Sequence, residues 1–186
     1  WIIKHLVEEG VTVHATVRDP DDKQKVAHLV ELSENNPGEI ILFKSDLLER
    51  GSFNAAANGC NIVVHTASPF LFKFNDPVKD LINPAFEGTK NVLEAVNFTD
   101  SVKRVVLTSS CAAIYGDANE CEHAPNNTLT EAIWNNTSSA SHQPYSYGKT
   151  IAEREAWKLA DAQKQWSLVV INPPVVLGPS VSGKST

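Results

Sequence analysis

The sequence is expected to fold as an α/β protein on a doubly wound parallel sheet, and three observations lead there. Short apolar runs rich in valine and isoleucine alternate with segments of helical period. No run is joined to the next by a hairpin turn, and the helical segment from Pro77 to Phe98 has the length of a packed crossover.

The elements follow in order. Trp1, Ile2, Ile3, Leu6 and Val7 form a helical stripe that should stop at Gly10, where a C-cap glycine is expected. Val11, Val13, Ala15 and Val17 alternate with Thr12, His14 and Thr16 as in a strand, which ends at Arg18-Asp-Pro. Val26, Leu29, Val30 and Leu32 mark a helix from Lys23 to Ser33; Asn35-Asn-Pro-Gly closes it, and a strand runs from Ile40 to Phe43. A short helix around Ser52 to Ala57 leads into a strand from Ile62 to His65. The next helix, Pro77 to Phe98, carries Leu81, Ile82, Ala85, Phe86, Thr89, Val92, Leu93 and Val96 on one face, and Pro84 should kink its early turns. A strand from Val102 to Thr108, a helix from Tyr145 to Gln163 and a strand from Leu168 to Asn172 complete the pattern. The stretch from Asp117 to Pro144 is long for a connection and has no period, so it reads as a functional loop or lid.

Composition narrows the function. The 186 residues, 42% hydrophobic and 20% charged, can bury one substantial core, so one domain is expected. A net charge of -6 without runs of like charge argues against nucleic acid as a partner. Cys60, Cys111 and Cys121 are odd in number and lack ligand spacing, which argues against a disulfide framework and against a metal site, and favours a reducing, cytosolic compartment. No run approaches 18 apolar residues, so no membrane span is expected within the stretch. The Asn-x-Ser/Thr patterns at Asn97, Asn126 and Asn136 read as surface positions. The first residue is Trp1 and methionine is absent, as expected of a fragment.

In open parallel sheets ligands sit beyond the carboxyl ends of the strands, so the residues there are the candidates for chemistry. Arg18 ends the first strand, and Lys25 opens the following helix. An acid at such a strand end bonds the 2′-hydroxyl of NAD, whereas a cation accommodates the 2′-phosphate of NADP. Arg18 offers a planar fork and Lys25 a point charge; the competing reading is two solvated cations, with Asp19 free to pair with either. Asp46 and Leu47 follow the second strand, where the adenine would lie; Asp46 also reads as an ordinary helix-start acid. His65-Thr-Ala-Ser-Pro ends the third strand with small residues that let a cofactor approach, and His65 itself reads as structural.

The sharper signal is Ser109-Ser110 at a strand end followed by Tyr145-Ser-Tyr-Gly-Lys149. Tyr145 and Lys149 lie four apart, on one helix face and about 6 Å apart along the axis. The ammonium should pull the phenol down from its usual pKa of about 10, as general acid–base work requires. Ser110 could then hold a substrate carbonyl while Tyr145 supplies the proton. Tyr147, two residues from Lys149, falls on the wrong face for that role.

Together these segments resemble the extended short-chain dehydrogenase/reductases, and within them the dihydroflavonol reductase, cinnamoyl-CoA reductase and methylglyoxal-reductase-like group. The resemblance rests on Ala15-Thr-Val-Arg-Asp-Pro, Val64-His-Thr-Ala-Ser-Pro, Asn83-Pro-Ala-Phe-Glu-Gly-Thr-Lys-Asn-Val-Leu, Leu107-Thr-Ser-Ser, Tyr145-Ser-Tyr-Gly-Lys and Asn172-Pro-Pro-Val-Val-Leu-Gly-Pro. It implies a Rossmann-type domain over residues 1–186, incomplete at both ends: a glycine-rich phosphate loop with its strand before Trp1, and a substrate domain after Thr186. It implies NADP(H) as cofactor, with Arg18 and Lys25 on the 2′-phosphate, Asp46 and Leu47 at adenine, Thr66 and Ala67 along the dinucleotide, and Pro173, Val175 and Val176 beside the nicotinamide. The catalytic roles fall on Ser110, Tyr145 and Lys149, the last two also contacting cofactor, and the substrate is a small carbonyl compound. Pro84-Ala85 stands where many sugar-nucleotide members carry asparagine, which favours the reductases over the epimerases; a sugar-nucleotide epimerase/dehydratase or a 3β-hydroxysteroid dehydrogenase-like member is the alternative within the superfamily. A rival from another class is Gly178-Pro-Ser-Val-Ser-Gly-Lys184-Ser185, which satisfies the phosphate-loop pattern of ATP- and GTP-binding proteins.

Overall fold

The computed structural model describes residues 1–69, 71 and 73–181. Helix α1 (Ile2–Glu8) stops where expected: Gly10 has φ 77°, its N–H donates to Val7 O at 3.1 Å, and the Val11 N–H donates to Leu6 O at 3.0 Å. These are the paired bonds of a Schellman stop. They also hold Val11 in the helix terminus, so strand β1 runs Val13–Val17 and starts later than its alternation indicates. Helix α2 (Lys23–Glu34) is capped by Asp22, whose carboxylate accepts from the Lys25 N–H. Strand β2 (Ile40–Lys44), helix α3 (Asn54–Ala57) and strand β3 (Ile62–His65) follow.

Pro84 does not kink a single α-helix. A π-helical turn, Val78–Ile82, runs directly into helix α4 (Asn83–Asn97), which places Pro84 in the first turn, where its missing N–H costs no helical bond. After strand β4 (Arg104–Thr108) come short 3₁₀ turns, helix α5 (Pro144–Asp161) and strand β5 (Ser167–Ile171).

All the strand pairs are parallel, as the absence of hairpin turns implied. They form two hydrogen-bonded sheets: β1 pairs with β2 from Val13↔Ile40 to Val17↔Lys44, and β3, β4 and β5 lie side by side in that order. Among the described residues no ladder joins the two. The main core lies against one face of the three-stranded sheet, where Val105 and Leu107 of β4 meet Leu93 and Val96 of α4, Ala156 of α5, Val102 and Trp166, each at most 5% exposed. The Trp166 indole N–H donates to Asn97 Oδ1 at 2.8 Å, so its one polar atom is satisfied. On the opposite face Val64, Val106 and Val169 share a row across the three strands, and Ile62, Val64, Val169 and Ile171 are 57, 38, 38 and 49% exposed.

The stretch from Asp117 to Pro144 is fastened to the body of the protein. Asn135 is buried; its N–H donates to Ala113 O, its side-chain amide to Ala112 O and Ser138 Oγ, and its carbonyl accepts from the Thr137 and Ser138 N–H groups. Glu120 closes a capping box on Asp117, and the Arg154 guanidinium lies 5.1 Å from the Trp134 ring centroid. Asn126, Asn127 and Gln143 take left-handed backbone conformations. Gly183, Lys184 and Ser185 of the phosphate-loop pattern lie outside the described residues.

Candidate active site

Because the strands are parallel, the chain leaves each sheet at one edge, and every residue singled out for chemistry follows a strand there or begins the next helix. β4 delivers Ser109 and Ser110. Ser110 is buried, and its hydroxyl accepts from the Ala112 N–H at 3.2 Å, capping the 3₁₀ turn Cys111–Ala113. α5 begins at Pro144, after the left-handed Gln143, whose side chain is held by Asp117 at 2.7 Å and by the Ser138 hydroxyl at 3.2 Å. That entry sets the phase of the helix so that Tyr145 and Lys149 face the end of β4.

There the Tyr145 phenol hydrogen-bonds with the Ser110 hydroxyl, and Lys149 Nζ lies 5.8 Å from the Tyr145 ring centroid. The structure therefore brings Ser110, Tyr145 and Lys149 together. The expected electrostatics differ in direction. Tyr145 stands above its ordinary value rather than below, because burial disfavours the phenolate more than the Ser110 hydrogen bond favours it, and the Cys111 sulfur adds to the rise. Lys149 moves the other way, from 10.5 to about 8, through burial opposed by Glu153. Its neighbour His65 is buried, has no hydrogen-bond partner at Nε2 among the described residues, and is pushed down to about 4 by burial and then by Lys149.

The cofactor candidates divide. Arg18 is exposed at the end of β1 and forms no ion pair among the described residues. Lys25 is committed to Asp22, Nζ to Oδ2 3.0 Å, a partner the sequence reading passed over in favour of Asp19. Asp19 instead accepts from the Asp21 N–H within the turn. Asp46 sits after β2, its carboxylate taking the Leu48 N–H at 2.8 Å. Leu47 turns inward against Phe53, Val92 and Ala95, and its Cβ lies where a side chain on Gly88 would fall, 3.0 Å away. Thr66 and Ala67 are exposed after β3, and Ala67 lines a small cavity with Thr89, Ser109, Lys149 and Glu153. Pro173 accepts from the Cys111 N–H at 3.1 Å and so ties the exit of β5 to that of β4, while Val175 and Val176 are 83 and 81% exposed. Among the described residues no group of three or more His, Cys, Asp or Glu side chains is placed to hold a metal ion.

Asn135 and Glu153 lie outside the sequence motifs, and Asn172 opens the Asn172-Pro-Pro segment with no role of its own implied there. Glu153 carried a usable signal, since it stands four residues beyond Lys149 on the same helix face. Asn135 and Asn172 reach partners far off in sequence, Ala112 for the one and Ser110 and Glu153 for the other, and nothing in their spacing marks them.

Residues 1–186 match the NAD dependent epimerase/dehydratase family along their whole length. The chain belongs to that family. Among its relatives in the reductase branch, a cinnamoyl-CoA reductase of Medicago truncatula is 42% identical over 96% of this chain and 54% of its own length. An anthocyanidin reductase of Arabidopsis thaliana is 37% identical over 97% and 53%. The solved structure of the yeast methylglyoxal/isovaleraldehyde reductase complexed with NADPH superposes with a TM-score of 0.80 at 28% identity, covering 96% of this chain and 55% of that one. The chain thus spans about half the length of the relatives it matches, and both the parallel α/β fold and the reductase-branch resemblance read from the motifs agree with these likenesses.

Proposed function

We propose that this chain is the NADP(H)-binding part of an oxidoreductase that reduces an aldehyde or ketone to an alcohol, with Ser110, Tyr145 and Lys149 as its catalytic residues. The observation that carries the reading is the Ser110–Tyr145 hydrogen bond beside the buried Lys149 at the carboxyl edge of a parallel sheet. Ser110 holds the carbonyl oxygen, and Tyr145 donates its proton to that oxygen. The raised pKa of Tyr145 keeps the phenol protonated at neutral pH, as a donor in the reductive direction must be. Lys149, still largely charged at pH 7, stabilises the phenolate left behind.

NADPH, when bound, supplies the hydride. The residues present fit it: Arg18 is exposed at a strand end and forms no ion pair among the described residues, with Lys25 as a second cation, and Thr66 and Ala67 are small to medium residues exposed after β3, where a dinucleotide could approach. Asp46 and Leu47 are assigned to the adenine side, and Pro173, Val175 and Val176 to the nicotinamide side. The division of the strands into β1-β2 and β3-β4-β5 leaves room between β1 and β3 for a further parallel strand, which supports reading residues 1–186 as part of a larger cofactor-binding domain. The relatives are named as reductases, and one is complexed with NADPH. The substrate is a small carbonyl compound. Three free cysteines favour a cytosolic setting, and no described helix is long and apolar enough to cross a membrane.

The test is Tyr145→Phe in the full-length protein. Carbonyl reduction with NADPH should fall by about 10²-fold or more while NADPH still quenches intrinsic fluorescence with little change in Kd. Retention of most of the turnover would mean that another group delivers the proton.

A further inference from the structure

Glu153 lies one helical turn beyond Lys149, and both are buried, at 7 and 8% exposed. A carboxylate in that position is costly unless it is bonded. Glu153 is: Asn172 Nδ2 donates to Oε2 at 2.8 Å, and the Trp157 indole N–H donates to Oε1 at 3.4 Å. The same Asn172 amide donates to Ser110 O at 3.1 Å. One asparagine at the end of β5 therefore links a buried acid on α5 to the backbone of Ser110 at the end of β4. Lys149 and Glu153 also line the same small cavity.

We propose that Glu153 is a positioning residue, the buried countercharge that keeps Lys149 in its ammonium form and, through Asn172, fixes the Ser110 end of β4. The titratable groups around Lys149 are Tyr145 and Glu153 on its own helix and His65 from β3, with Cys111 acting on Tyr145. His65 is neutral at pH 7 because it is buried, and Tyr145 is protonated. Glu153 is thus the charged side chain, among the described residues, that opposes the effect of burial on Lys149. The inference rests on the catalytic assignment of Lys149, and its test separates the two.

In the full-length protein, Glu153→Gln keeps an oxygen for Asn172 and removes the charge. For an i,i+4 pair about 6 Å apart at an effective dielectric of about 20, the titration of Lys149 should drop by about one to two pH units. Two readouts are taken. The Lys149 Cε resonance, assigned by its loss in Lys149→Arg, should titrate at lower pH in Glu153→Gln and return toward the parent value in Glu153→Asp. The alkaline limb of kcat for NADPH-dependent carbonyl reduction should move down by the same amount, with little change in KM. A Lys149 resonance that titrates alike in parent and Glu153→Gln overturns the countercharge, as does a kcat loss equal at every pH. A shifted resonance with an unshifted kcat profile supports the countercharge and overturns the catalytic reading of Lys149. Asn172→Ala should lower kcat and leave the Lys149 titration in place; unchanged kcat there overturns the link to Ser110. Should Glu153→Gln unfold, the resonance and kcat profile of Glu153→Asp decide: retention of the parent titration supports the role, and a titration moved down by a unit overturns it.

Discussion

A lysine held charged in a buried site should cost the fold stability, and Lys149→Met measures that cost. Methionine keeps the length of the side chain and removes the ammonium. The folded pKa of Lys149 lies near 8, against 10.5 for a solvated lysine. Above about pH 10.5 the amine is neutral folded or unfolded, and no cost arises. As pH falls from 10.5 to 8 the unfolded chain takes up the proton more readily, and folding stability is lost; below 8 the full cost is in place. At 1.36 kcal/mol per unit, the shift corresponds to about 3 kcal/mol at pH 7 and to less than half of that at pH 9.5. That figure already includes the attraction to Glu153, since the value near 8 is the balance of burial against that carboxylate, and the carboxylate keeps its bond from Asn172 in the variant. Lys149→Met should therefore be about 2–3 kcal/mol more stable than the parent at pH 7 in urea denaturation, with the gap closing toward pH 9.5. A variant no more stable than the parent at pH 7, or a gap that does not change with pH, would refute the reasoning.

Two other outcomes follow from different parts of the structure. Arg18→Ala should weaken NADPH by about 10- to 100-fold, the worth of one charge-assisted hydrogen bond in an exposed setting, and leave NADH nearly unaffected; Lys25→Ala should do less, because Lys25 is already paired with Asp22, and equal losses with both cofactors in kcat/KM would defeat the assignment. Gly38→Ala should destabilise by about 2–4 kcal/mol, since the new methyl would sit 2.4 Å from Val11 O and 2.7 Å from Val7 Cα, both backbone, whereas Gly148→Ala should be neutral or stabilising because its contacts begin at 3.5 Å; thermal denaturation of the two variants gives the contrast directly.

Much of the architecture was legible because it is written in periods. The alternation after Gly10, the stripe of α4 and the apolar runs of β3 and β4 each announce an element before any contact is known. Boundaries were less so. Val11 and Val102 look like strand residues, but their N–H groups are spent on Leu6 O and Thr99 O, in a helix stop and a turn, so the ladders begin two residues later. The stretch after Asp117 has no period because side chain to backbone bonds hold it, and Asn135 reaches back to Ala112 and Ala113 across a distance in sequence that no window captures. The Tyr145-x-x-x-Lys149 spacing correctly sets Lys149 beside Tyr145, yet it implies a lowered Tyr145 where the structure raises it. Helical spacing tells which groups meet; it does not tell how dry the meeting place is, and burial decided the sign.

The bare face of the three-stranded sheet has a practical consequence. Ile62, Val64, Val169 and Ile171 share that face and stay between 38 and 57% exposed, whereas a parallel sheet is ordinarily covered on both sides. Handled as a free 186-residue polypeptide, the chain carries an adhesive surface, so its behaviour in the tube should depend on concentration: monodisperse when dilute, clustered when concentrated. Yields from refolding would then be governed by how thinly the protein is spread more than by how well its core is packed.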